Sequence, residues 1–176
     1  MISNIPRKYK VWLEFAGLAL VIMLPLLLPG YVLTLDLVFA PQAPIPELTS
    51  HDFPLKAIIW LFYLILPGDV VEKIILFSAL LFSGVGTYSL IRVMPHPHPV
   101  QEGSWRLAAY AAGVLYMINP FIYARFMAGQ WMIILGYALL PFFIRSLLIF
   151  LHQPSLKNSL MIAGWAVSIS IASLHY

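Results

Sequence analysis

The sequence contains no cysteine, and only 10% of its 176 residues are Asp, Glu, Lys or Arg. Without cysteine, the chain cannot form a disulfide framework, a thiolate zinc site or a cysteine nucleophile. Soluble domains carry roughly a quarter charged residues, so the low charge excludes an ordinary soluble domain. The ten Lys and Arg residues are scattered along the chain and form no single basic face, which argues against nucleic acid as a partner.

Long apolar runs take the place of charge, since 61% of the residues are hydrophobic. The runs cover residues 11–33, 57–67, 74–94, 107–118, 131–151 and 160–174, and the fourth can extend to Tyr123. A spanning helix needs about 20 apolar residues to cross about 30 Å of hydrocarbon, whereas the run 57–67 reaches only about 16 Å. We therefore predict an all-α, polytopic transmembrane bundle over residues 1–176, with about five spanning helices and one short juxtamembrane helix.

The distribution of Lys and Arg predicts the topology, because these residues collect near helix ends on the cytoplasmic side. If the run 57–67 lies flat on the outer surface, the outer cations are Lys56, Lys73 and Arg125, and the inner ones are Arg7, Lys8, Lys10, Arg92, Arg106, Arg145 and Lys157. If that run spans the membrane, the two sides carry equal numbers. The first arrangement is favoured, and it predicts a cytoplasmic N-terminus and a first outer loop over residues 34–73.

Most of the acidic residues fall in this outer loop: Asp36, Glu47, Asp52, Asp69 and Glu72, with His51 beside Asp52. Proline residues at 41, 44, 46 and 54 predict an extended chain until Leu55. Asp36 directly follows the first apolar run and is flanked by Leu35 and Leu37, a setting that suits a general base at neutral pH. The alternative interpretation is that Asp36 marks the membrane boundary.

An aromatic connection over residues 119–131 is predicted between the third and fourth spanning helices, on the same outer side. It holds Arg125 among Tyr123, Phe126 and Trp131. A guanidinium group at headgroup depth can bind a phosphate through two parallel hydrogen bonds. It can equally serve as an interfacial anchor, since aromatic belts with Arg are common at membrane surfaces. Lys56 and Lys73 are further candidates for binding the same anion.

Small residues recur at four-residue spacing in two of the predicted helices. These are Ala109 with Gly113, and Gly164 with Ser168 and Ala172. Small side chains let helices approach closely in lipid. We therefore predict close helix contacts at both sets.

The chain resembles a known family at three places. The stretch Pro29-Gly30-Tyr31-Val32-Leu33-Thr34-Leu35-Asp36-Leu37-Val38-Phe39, followed by a loop with a juxtamembrane helix, resembles the start of a multi-pass glycosyltransferase of the GT-C superfamily. Two later stretches resemble segments of large bacterial and archaeal arabinofuranosyl- or mannosyltransferase-like membrane proteins: Tyr116-Met117-Ile118-Asn119-Pro120-Phe121 and Ala138-Leu139-Leu140-Pro141-Phe142.

The resemblance implies a transferase that takes its sugar from a polyprenyl-phosphate donor and gives it to a glycan or lipid acceptor. It implies that Asp36 is the loop acid that works as catalytic base or metal ligand, with Asp52 as a second acid. A divalent metal ion is then the candidate cofactor, with Asp36, Asp52 and His51 as candidate ligands. The family has seven or more helices and a large outer domain, so the resemblance further implies the N-terminal part of a larger enzyme in a prokaryotic cell membrane.

The rival hypothesis is a non-enzymatic membrane assembly subunit or a fragment of a transporter. A transporter is expected to place ionisable groups at mid-membrane. Residues 74–91, 107–118 and 160–174 contain no Asp, Glu, Lys or Arg, and Arg145 is the nearest exception. This pattern disfavours transport and leaves the assembly subunit as the alternative to an enzyme.

The predicted topology is tested by single cysteines at Gln42 and Gln101, because the chain has no cysteine of its own. An impermeant thiol reagent applied to intact cells should label position 42 and not position 101. The charge distribution is the reason, since it places the loop before 57–67 outside and the 92–106 connection inside. Labelling at position 101 but not at position 42 would overturn the topology.

Overall fold

The regular elements of the described chain are all helices. The structure, a computed structural model, describes residues 6–37, 39–42, 45–49, 53–95 and 102–173. The helices in chain order are α1 (Arg7–Met23), α2 (Phe53–Tyr63), α3 (Gly68–Ile91), α4 (Glu102–Ile118), α5 (Pro120–Ala128), α6 (Trp131–His152) and α7 (Leu156–Ser173), with a 3₁₀ turn over Leu24–Leu26 after α1.

Four helical stretches are long and apolar enough to cross a membrane, namely Tyr9–Leu26, Gly68–Ile91, Glu102–Ala128 and Trp131–His152. The 24 residues of α3, for example, measure about 36 Å at about 1.5 Å per residue. Helices α2 and α7 are apolar but shorter, and α7 occupies the place of the fifth predicted span. The prediction of an all-α transmembrane helical bundle is confirmed, and the chain is a membrane-embedded protein.

Helix α3 is the centre of the bundle. It packs against α1, α4 and α6, and α6 packs in turn against α7. Of its membrane-crossing stretch 50% is buried, against 22% to 28% in the other three. The core residues come from six helices and the segment after α1: Phe15, Ala19 and Met23 of α1, Leu37 of that segment, Leu55 of α2, Leu76, Ala79, Leu80 and Val85 of α3, Met117 of α4, Ile122 of α5, and Trp131, Ile134 and Ala138 of α6.

Phe15 of α1 fills the space that two glycines leave between α3 and α4. A Cβ atom at Gly113 would lie 2.6 Å from Phe15 Cζ and 2.9 Å from the Gly84 carbonyl oxygen, and one at Gly84 would also meet the Phe15 ring. Ala109, one turn before Gly113, is fully buried. The close contact predicted for Ala109 and Gly113 is therefore present. In the second set the outcome is mixed, because Ala172 is buried with 2% of its surface exposed, whereas Gly164 is exposed and no described atom lies within 4 Å of a Cβ there.

Three helix boundaries differ from the sequence prediction, and one of them is the start of α3 at Gly68, which places residues 68–73 of the predicted outer loop in a helix. The first apolar run was expected to be one helix over 11–33, but α1 ends at Met23, and a 3₁₀ turn over Leu24–Leu26 with Pro25 in its middle follows. Proline lacks the N–H that an α-helix needs there, so the apolar residues beyond it run without regular structure. Helix α2 begins at Phe53, two residues before the predicted start, because Pro54 lies in its first turn, where proline is tolerated.

The connection predicted over 119–131 is mostly the helix α5. Asn119 caps it, with its side-chain oxygen accepting a hydrogen bond from the Ile122 N–H at 3.1 Å. Pro120 occupies the first helical position, and Gly129 ends the helix with a left-handed φ of 76°. Asn before Pro at the start, and Gly at the end, are the ordinary signals of a short helix. The sequence predicted that the fourth run continues past Pro120 to Tyr123, and the helical stretch does continue, as far as Ala128.

The tight packing at Gly113 predicts a large loss of stability when a single methyl group is added there. Gly113→Ala should lower the free energy of unfolding by about 1–3 kcal/mol, because Phe15 and the α3 backbone leave no room for it. Gly103→Ala in the same helix is the matched control, since nothing lies within 4 Å of its Cβ. Thermal unfolding of the detergent-purified variants measures both, and equal melting temperatures for the two would contradict the packing.

Candidate functional site

The segment 28–37, here called the strap, connects α1 to the candidate site without regular structure. Its first half is held by three side chains from the first turns of α3. Lys73 Nζ donates to the Leu28 carbonyl oxygen at 2.7 Å. The Gly30 N–H donates to Asp69 Oδ2 at 3.4 Å, and the Val32 N–H donates to Glu72 Oε2 at 3.1 Å. Alternate residues of the strap are thus fixed to one helix end.

The second half of the strap packs on the C-terminal end of α5. The Asp36 N–H donates to the Ala128 carbonyl oxygen at 3.0 Å. A Cβ atom at Gly129 would overlap Thr34 Oγ1 and would lie 2.5 Å from Leu37 N and 2.9 Å from Asp36 N. The Leu37 side chain is buried, with 1% of its surface exposed, while the Asp36 residue is exposed. The backbone at position 36 is therefore fixed, and its carboxylate faces solvent.

Arg125 lies on α5, one turn before the Ala128 carbonyl that binds Asp36. Its Nη1 donates to Gln130 Oε1 at 2.5 Å, and its guanidinium carbon lies 5.3 Å from the centre of the Phe121 ring. The Gln130 N–H returns a hydrogen bond to the Arg125 carbonyl at 2.9 Å. Among the described residues Asp36 and Arg125 form no ion pair. The two residues predicted for one site thus come from segments that touch.

A stack of tyrosines joins α4 to α6 beside the start of α5. The rings of Tyr116 and Tyr137 lie face to face with centroids 4.0 Å apart. Asn119 Nδ2 donates to the Tyr137 hydroxyl at 2.7 Å, and the Tyr116 hydroxyl donates to the Tyr137 carbonyl at 3.1 Å. Asn119 therefore joins the cap of α5 to α6. The prediction from sequence noticed Tyr116 and Asn119 only as parts of a family pattern and missed this contact.

The other predicted site residues lie elsewhere or are already bound within the protein. Lys73, predicted to bind substrate, also pairs with Asp69 at 3.6 Å and is only 12% exposed, so protein atoms surround its ammonium group. Lys56 lies on α2 with an exposed side chain. His51 and Asp52 lie outside the described residues. Within the part of the chain that the structure describes, no three His, Cys, Asp or Glu side chains cluster as metal ligands do.

Glu72 also belongs to this region, and the prediction from sequence did not name it as a site residue. It is completely buried at the start of α3, and its second oxygen, Oε1, has no hydrogen-bond partner among the described residues. Asp69, Glu72 and Lys73 are spaced i, i+3 and i+4, which places them on one helix face. That spacing at the start of an apolar helix was the available signal.

Tyr63 at the end of α2 closes the same region. Its hydroxyl donates to the Ala40 carbonyl at 3.1 Å, and a Cβ atom at Gly68 would lie 2.7 Å from the Tyr31 hydroxyl oxygen. Burial raises the pKa of Tyr63, and the neighbouring Tyr31 and Glu72 raise it further. Tyr63 is therefore a neutral hydrogen-bond donor at physiological pH, and it holds the chain after the strap in place.

Comparison with protein-family models, with curated proteins and with solved structures gave no match. The contacts and chemistry of the described residues are therefore the basis for proposing a function.

The contact at Gly129 predicts that one methyl group will move the strap. A disulfide between Asp36→Cys and Ala128→Cys reports the contact, because a backbone hydrogen bond leaves the two Cα atoms about 5–6 Å apart, within disulfide range. Adding Gly129→Ala should slow disulfide formation about tenfold or more, because the new Cβ overlaps Thr34.

Gly30→Ala is the matched control for that experiment. Gly30 also has a left-handed φ, of 112°, but nothing lies within 4 Å of a Cβ there. An alanine there is therefore also strained by a positive φ, but meets no clash. Equal disulfide rates in the two variants would show that Gly129 does not seat the strap.

Proposed function

We propose that this chain is a membrane glycosyltransferase, or the N-terminal part of one, that transfers a sugar from a polyprenyl-phosphate donor at the outer face of the membrane. Asp36 is the general base and Arg125 binds the donor phosphate. One observation carries the proposal, namely the hydrogen bond from the Asp36 N–H to the Ala128 carbonyl at 3.0 Å. This bond connects Asp36, the acidic residue that follows α1 most closely in the chain, to α5. Helix α5 carries the partly buried Arg125.

The chemistry of glycosyl transfer requires these two groups. The acceptor hydroxyl must lose its proton as its oxygen attacks the anomeric carbon, and the exposed Asp36 carboxylate is free to accept that proton. The bond from the anomeric carbon to the phosphate oxygen breaks at the same time, and negative charge grows on the departing phosphate. A cation fixed beside that phosphate stabilises the transition state.

Arg125 suits the phosphate better than the other cations of this region. Gln130 and the Phe121 ring hold its guanidinium plane in one orientation, and the remaining N–H groups lie in the same plane for a bidentate contact. Lys73 is less suitable because Leu28 and Asp69 already bind its ammonium group. Lys56 on the exposed side of α2 remains a candidate for assisting the same anion, as do Asp52 and His51 for binding a divalent metal ion with Asp36.

The test of the base is Asp36→Asn in the full-length protein, assayed with a panel of radiolabelled polyprenyl-phosphate pentoses and hexoses. The amide keeps the size and cannot accept the proton, so kcat should fall about 100-fold or more while the donor KM changes little. Glu47→Gln is the matched control, because Glu47 is another exposed acid of the same connecting segment. Parental turnover in a folded, abundant Asp36→Asn protein would refute the assignment.

The test of the phosphate contact is Arg125→Lys in the same assay. A lysine ammonium cannot form two parallel hydrogen bonds to one phosphate, so the donor KM should rise about tenfold. Arg106→Lys on the exposed side of α4 controls for the loss of a guanidinium group. If the folded parent protein transfers no sugar from any donor, the non-enzymatic assembly subunit replaces the enzyme as the proposal.

A further inference from the structure

The burial of the Glu72 carboxyl group is energetically unfavourable. None of its surface is exposed, and its Oε1 has no partner among the described residues. Removing a carboxyl group from water without full compensation costs several kcal/mol, and a leucine at this position would avoid that cost. A polar group inside a membrane protein is by default a functional one. The contact that Glu72 does make is therefore the place to look for its role.

That contact is with the backbone of the strap. Glu72 Oε2 accepts from the Val32 N–H at 3.1 Å, and this is the last attachment of the strap to α3 before the chain reaches Asp36. The next attachment is made by Asp36 itself, to the Ala128 carbonyl of α5. If the Val32 bond is lost, the preceding attachment is Gly30, whose bond to Asp69 is longer, at 3.4 Å, and exposed. The stretch before Asp36 without a hydrogen bond to the bundle then grows from three residues, 33–35, to five, 31–35.

Complete burial excludes Glu72 from contact with a substrate, so any effect on the reaction must pass through the strap. A short stretch held at both ends gives Asp36 few alternative positions, whereas a longer free stretch gives it many. General-base catalysis is sensitive to this, because the base must lie within hydrogen-bond distance of the proton that it removes.

We propose that Glu72 is a positioning residue: it fixes the strap through the Val32 N–H and thereby sets the place of Asp36 relative to Arg125. The positioning itself depends only on the described contacts, and its catalytic consequence rests on the proposed function. The groups around Glu72 support the assignment, because Asp69 and Lys73 of the same helix face hold Gly30 and Leu28 of the same strap.

The structural arm of the test uses the disulfide between Asp36→Cys and Ala128→Cys in the full-length protein. Glu72→Leu should slow its formation about tenfold, because the acceptor of the Val32 N–H is lost. Glu72→Gln should stay within about threefold of the parent, since the amide oxygen can still accept that hydrogen bond. Glu14→Gln, a carboxyl group on α1 that the Tyr110 hydroxyl binds, should leave the rate unchanged.

Val32→Pro tests the same bond from the other side, because proline has no N–H to donate. It should slow disulfide formation as Glu72→Leu does. If Glu72→Leu does not fold, Val32→Pro alone tests the positioning role. Disulfide formation at the parental rate in either folded variant overturns the positioning role.

The kinetic arm uses chains that keep Asp36. Glu72→Leu should lower kcat about tenfold or more with the donor KM within about twofold, and Glu72→Gln should restore most of kcat. A merely structural role predicts a lower protein yield and melting temperature without a fall in kcat at constant KM. That pattern overturns the proposal. If the parent transfers no sugar, the proposed function fails, while the disulfide arm still decides whether Glu72 positions the strap.

Discussion

The candidate site depends on the attachment of the strap to the first turns of α3. Helix α1 ends early at Met23, before Pro25, and the chain beyond the 3₁₀ turn Leu24–Leu26 has no regular structure of its own. Its backbone groups must find partners elsewhere, since unpaired backbone groups away from water are costly. Asp69, Glu72 and Lys73 supply those partners from one helix face. An irregular segment at the end of a membrane helix is thereby given a defined path to α5.

The same helix makes the bundle possible, because α3 is the element that α1, α4 and α6 share. In lipid, helices gain little from burying apolar surface and depend on close packing instead. Gly84 and Gly113 permit that packing by leaving room for the Phe15 ring, and Gly86 does so for Phe142 of α6. The position of α3 therefore determines both the arrangement of the bundle and the place where the strap is held. A change in the packing of α3 is expected to reach Asp36 through Glu72.

The sequence predicted what depends on local pattern and missed what depends on distant contacts. The apolar runs gave the helical bundle, and the spacing of Ala109 and Gly113 gave a close helix contact that is present. The start of α5 was also readable from Asn119 and Pro120; the prediction extended the fourth apolar run past this proline but did not recognise a separate helix. The bond of Val32 to Glu72 joins residues 40 positions apart, and no periodicity indicates such a contact. The same is true of Asp36 and Ala128, which are 92 positions apart and come together only through the packing of the helices.

The manner in which the two site residues are held determines how they respond to substitution. Asp36 is placed by its backbone N–H, which every residue except proline retains, so its side chain can change without moving the chain. Arg125 is placed by its side chain, through Gln130 and the Phe121 ring, and a substitution there changes position and charge together. A defect at position 36 therefore reports on chemistry, whereas a defect at position 125 reports on chemistry and geometry at once. Position 72 differs from both, because a change there alters the place of the Asp36 carboxylate and leaves the chemistry of that carboxylate intact.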